Sequence, residues 1–152
     1  MKRILPFLAL ISSPALAAEE TYKYALITRH YNQHEYASNK TQTIVLLPKN
    51  SNKNICKQVI YGEKEEPNKL SLQCLNEIPK EFNGVLTQKP LPNMHYAIHS
   101  QKTDYIVVDL ITIYSFKYNI NEDPDTCKNI LKNFKGSYKE AKCIAPINSS
   151  PK

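Results

Sequence analysis

The chain has no tryptophan and only three glycines in 152 residues. Each scarcity removes a class of function. Three scattered glycines build no Gly-rich loop of the kind that lets backbone N–H groups close around a phosphate. A sugar-stacking platform would have to rest on tyrosine alone. No stretch beyond the N-terminal segment reaches the roughly 18 apolar residues that a membrane span needs, so the sequence predicts no stable membrane insertion. G-x-S-x-G, H-E-x-x-H and S-x-x-K are all missing, and with them the usual serine-hydrolase, zinc-protease and penicillin-binding patterns. The four cysteines include no C-x-x-C and are widely spaced, which argues against a zinc site.

The N-terminus carries an address. Met1-Lys2-Arg3 is a short basic region, 4–11 is an apolar core too short to span a bilayer, and Ala15-Leu16-Ala17 is a small-x-small cleavage site. This is the pattern of a secretory signal peptide over 1–17. Pro6 and Pro14 bracket the apolar run and disfavour a first helix of the fold. No cysteine follows the cleavage site, so no lipid anchor is indicated. Removing Lys2 and Arg3 from 20 basic and 14 acidic residues leaves 18 against 14, a net charge of +4. That excess is ordinary for a small domain and reads first as a solubilising charge. The expected location is the periplasm or the medium, an oxidising compartment in which four cysteines form two disulfides.

The cysteines also mark an internal repeat. Tyr24-Ala25-Leu26-Ile27, an apolar run at 44–48, Cys56 and Cys74 follow in that order. Tyr96-Ala97-Ile98, an apolar run at 105–113, Cys127 and Cys143 repeat it. Equal placement in the two copies selects the pairs Cys56–Cys74 and Cys127–Cys143. The expected fold is α+β: a duplicated β-β-α-β unit, copies 22–75 and 94–145, forming a mainly antiparallel sheet with two helices on one face. One domain, 18–145, precedes a polar, disordered tail, 146–152.

Along the chain, 22–31 alternates as a strand, with Tyr22, Tyr24, Leu26 and Thr28 on one face and Lys23, Ala25, Ile27 and Arg29 on the other. A polar loop is expected at 32–40, and a β-branched strand at 41–47 ending at Pro48. Ser51 or Asn52 caps a short helix around Cys56, Gly62 ends it, and 70–75 is the third strand. The Pro-rich stretch 76–93 joins the copies, with a helical turn near Pro79 and Phe82 and a short edge strand at 85–88. Strands at 94–100 and 104–118 follow. Asp123-Pro124 opens a helix whose apolar stripe is Cys127, Ile130, Leu131 and Phe134. The last strand is 138–145.

Chemistry-bearing groups are few. If Gln101 pairs with Tyr105, Ile98 faces Val108 and Asp109 lies between His95 and His99 on the other face. The two imidazoles are then about 13 Å apart along one strand, too far to chelate one ion together. They form a pH-responsive or partner-contacting patch, or simply a solvated face. With both cysteine pairs committed, no thiol nucleophile remains. No metal or other cofactor is expected. Ten tyrosines against four phenylalanines suit either half-buried strands or a recognition surface. Asn39-Lys40-Thr41 and Asn148-Ser149-Ser150 match the glycosylation pattern by chance, given a leader of bacterial type.

From this the sequence predicts a non-catalytic, protein-binding domain whose partner is a protein of the envelope rather than a nucleic acid. In size and compartment it resembles immunity proteins against delivered toxins and inhibitors of wall hydrolases, a likeness that no single residue carries. The expected partner surface is the sheet face away from the helices together with the loop: His34, Glu35, Tyr36, His95, His99, Asp109 and Ile111. The apolar strand 105–113 on that face needs a cover, either the 76–93 linker or another protein. The alternatives are a secreted or surface-attached structural component and a hydrolase using His95, His99 and Asp109.

Overall fold

The computed structural model describes residues 19–32, 38–59, 69–102, 107–116, 126–134 and 140–147. The expected leader, the Asp123-Pro124 helix start and 148–152 lie outside them. Among the described residues six strands form one sheet. They are β1 Tyr22–Asn32, β2 Ser38–Ser51, β3 Lys69–Leu75, β4 His95–Lys102, β5 Val107–Phe116 and β6 Lys142–Ile144. Helices α1 Lys53–Gln58 and α2 Thr126–Phe134 complete an α+β, sheet-rich fold. The strand order is β3-β1-β2-β5-β4-β6, and every strand pairing is antiparallel.

Strand extents differ from the sequence pattern in two places. β1 and β2 pair as far as Asn32 and Ser38, so Asn32 and 38–40 of the expected loop belong to the ladder. At its other end β2 runs past Pro48 to Ser51. The ladder shifts register there, between Tyr22 and Tyr24. A bulge asks for no regular N–H bond at the proline, which is why Pro48 does not end the strand. The Ser51 hydroxyl donates to the Pro48 carbonyl at 2.6 Å and closes the irregular turn.

Asn52 then starts α1. Its side-chain oxygen accepts from the backbone N–H groups of Asn54 and Ile55, both at 3.1 Å, and satisfies two donors that a helix start leaves open. The cap places Cys56 inward, where it is fully buried and bonded to Cys74 in β3, with 6.1 Å between Cα atoms. Cys127 in the first turn of α2 is bonded to Cys143 in β6, at 5.7 Å. Each bridge closes a short loop, of 18 and 16 positions, and removes about 3 kcal/mol of unfolded-chain entropy.

Residues directly opposite in an antiparallel ladder share a face. Cys74 lies opposite Ala25, Ala25 opposite Val45 and Val45 opposite Leu110. Cys143 lies opposite Ala97 and Ala97 opposite Thr112, on that same face. Both disulfides therefore bring their helices to one side. There Cys56 packs with Ala25, Ile27, Val45, Val108 and Leu110.

The other face is closed by the linker. Phe82, Val85 and Leu91 pack with Leu26, Ile44, Tyr96, Ile111 and Ile113, with Ile78 and Met94 alongside. The linker is built from two 3-10 turns, Lys80–Phe82 after Pro79 and Val85–Thr87 after Gly84. The second replaces the edge strand expected at 85–88. Gly84 adopts φ +95°, a left-handed conformation that folds the linker back rather than along an edge. The buried Tyr96 hydroxyl donates to the Lys89 carbonyl at 2.5 Å and ties the linker down. The Ile147 N–H donates to the Leu91 carbonyl at 3.3 Å, so the described part of the tail is held, contrary to its polar composition.

Candidate functional site: polar zones on the two sheet faces

The expected His95, His99 and Asp109 group is not assembled. β4 lies against β5 with Ile98 opposite Ile111 and Lys102 opposite Val107, three places from the register read from the pattern. Three is odd, so the slip moves side chains to opposite faces. Asp109 points to the linker side, where it is exposed and accepts from the Ser100 hydroxyl at 2.6 Å. His95 and His99 sit on the helix side and are buried, not solvated. The pattern misled because β5 is apolar on both faces. Pairing Ile98 with Val108 or with Ile111 satisfies burial equally.

On the helix side a polar row crosses the middle of the sheet. Thr43 lies opposite Thr112, Leu110 opposite His99, and Tyr114 opposite both Thr41 and His95. The Arg29 guanidinium donates to the Thr43 hydroxyl at 2.8 Å. His99 Nε2 lies 3.1 Å from the Thr112 hydroxyl. Burial pushes the His99 imidazole down to about 4, so it is neutral at neutral pH. A neutral imidazole bonded to a threonine, with Asp109 on the opposite face, holds register between β4 and β5. It does not form the acid–base pair that the hydrolase reading needed.

The linker side is graded. Near the linker it is apolar, from Leu26 and Ile44 to Ile111, which is 3 % exposed and belongs to the core. Its neighbours Phe82, Val85 and Leu91 make the linker the cover of this apolar face, the first of the two covers expected for it. Towards the β1–β2 hairpin end the same face becomes polar. Thr28 lies between Ser71 and Gln42, and the Gln42 amide donates to the Thr28 hydroxyl at 3.5 Å. One step further, His30 lies between Lys40 and Lys69, with Ser115 beyond Lys40. His34, Glu35 and Tyr36 follow at 33–37, outside the described residues.

Sequence reasoning placed Thr28 and Arg29 on opposite faces, as observed. It passed over Lys40 and Lys69, because their place beside His30 depends on which strands pair. Among the described residues no cluster of His, Cys, Asp and Glu is arranged to hold a metal ion, and no helix is long and apolar enough to cross a membrane. Comparison with protein-family models, curated proteins and solved structures returns no match for this chain.

Proposed function

We propose that the chain is a small exported, non-catalytic protein-binding domain of the bacterial envelope, of the inhibitor or immunity kind. The observation that carries this reading is the grading of the linker-side face. The linker seals its apolar part and leaves a polar, basic end beside the β1–β2 hairpin. That end, with His34, Glu35 and Tyr36 adjoining it in the chain, is the partner surface. The two disulfides are compatible with an oxidising location. They fix both helices to the sheet, which lowers the ordering cost of binding.

We also read the two β-β-α-β halves as copies of one unit. β3-β1-β2 and β6-β4-β5 repeat one order, and in each half a cysteine in a helix's first turn is joined to the following strand. In this reading the 1–17 segment is removed on export.

The test is affinity capture from envelope extract with the tagged mature chain, followed by titration of the captured protein in purified form. The expected result is one saturable partner whose affinity falls at least tenfold with Tyr36→Lys while circular dichroism is unchanged. Recovery of the native protein in the cytoplasm, or no saturable partner, would overturn the reading.

A further inference from the structure

The row Lys69, His30 and Lys40 has an unusual feature. His30 is directly opposite Lys40 in the β1–β2 ladder and directly opposite Lys69 in the β1–β3 ladder. Neighbouring strands lie about 4.8 Å apart, so the two lysines stand on either side of His30 with their Cα positions about 10 Å apart, close enough for both long side chains to reach one ligand. Two cations on one face at that spacing favour an anion that reaches both. No carboxylate of the described residues belongs to these rows. Asp109 is at the far end of the face, opposite Leu46 and Ser100, and Glu77 and Glu81 belong to the linker side of the sheet. Lys40 and His30 are half-buried, where reduced hydration strengthens attraction to an opposite charge. Hydroxyls and an amide line the inner side: Ser71, Thr28 and Gln42 one step in, and Ser115 in the row itself.

We infer that this row is the binding site for an acidic protein segment, one that presents two or more closely spaced carboxylates. The inference rests on the protein-binding reading above and names the chemistry of its partner. Charge complementarity selects carboxylates over apolar anchors, because the apolar part of this face is already filled by Phe82, Val85 and Leu91. The compactness of the row selects a protein over a membrane. A flat bilayer would also have to accommodate the linker packed on this face, where Asp109, Glu77 and Glu81 stand among Lys80, Lys89 and Lys142, whereas a peptide reaches the row alone.

The experiment is an amide NMR titration of the mature chain with three probes: an acetylated hexaglutamate peptide, inorganic phosphate, and phosphatidylglycerol vesicles. The peptide is expected to shift Thr28, His30, Lys40 and Ser71 saturably. Its affinity should fall about tenfold in Lys40→Gln/Lys69→Gln, and fall again as salt rises from 50 to 300 mM. A Lys53→Gln/Lys57→Gln control on α1 should bind as the parent does. If the double variant unfolds, Lys69→Gln alone, at an exposed position, should weaken binding in the same direction. The inference is overturned by an absence of saturable shifts, or by equal losses in the control. It is overturned equally by phosphate binding as tightly as the peptide, or by vesicles binding where the peptide does not. A captured envelope partner that binds the Lys40/Lys69 variant unchanged rejects this inference and leaves the protein-binding reading standing.

Discussion

His99 is a buried imidazole held neutral, and its effect on stability has a definite sign. In the unfolded chain it titrates near 6.5, and in the fold near 4. Above about pH 6.5 neither state binds the proton and the contribution to stability is at its full value. Between 6.5 and 4 the unfolded state takes up a proton that the folded state refuses, so stability falls as pH falls. Allowing for partial solvent relaxation, the loss over that window is about 2 kcal/mol. His99→Gln keeps a hydrogen-bonding group near Thr112 and does not titrate. Urea midpoints measured from pH 8 to pH 4 should therefore diverge, the parent losing more than the variant. Parallel curves would show that His99 is not held neutral. The acidic end of the same curves will carry the carboxylates common to both proteins, and the difference cancels them.

At the scale of elements, the linker is the piece that departs most from its sequence. Proline and glycine at 79, 84, 90 and 92 read as a connection, and its length leaves room for a short edge strand at 85–88. The local pattern gives no sign that Phe82, Val85 and Leu91 would meet across two 3-10 turns. That depends on an uncovered apolar face elsewhere in the chain. Gly84 makes the reversal possible: at φ +95° an added Cβ would also lie 3.1 Å from the Lys89 Cβ. Gly84→Ala should therefore lower stability by about 1–2 kcal/mol, seen as a lower urea midpoint at unchanged slope. An unchanged midpoint would mean that the turn relaxes without cost. By contrast, β1, β2, β3 and α1 were legible, because their alternation, the Asn52 cap and the cysteine spacing all act locally. The β4–β5 register was not, because β5 is buried on both faces from Leu110 to Ile113 and burial alone does not choose between them. The same limit hid the Lys40, His30 and Lys69 row, which exists only once β1 stands between β2 and β3.

For the whole molecule, the sheet order places the first half, β3-β1-β2, beside the second, β5-β4-β6, along a single seam between β2 and β5. Each disulfide lies within its own half, Cys56–Cys74 before the linker and Cys127–Cys143 after it. No covalent bond other than the backbone of the linker crosses the seam, and the linker's 86–90 stretch is exposed. The molecule is thus covalently two pieces joined by one thread. A protease that cuts within 86–90 should release two fragments on a denaturing gel without any reducing agent. In native buffer the same nicked protein should still elute at its original size, held by the β2–β5 ladder and by Phe82 and Val85 on one side of the cut and Leu91 on the other. Fragments that part in native buffer would show that the thread, and not the seam, holds the halves together. If they stay together, the seam is an interface in its own right, and the linker serves to tether two halves that already hold each other.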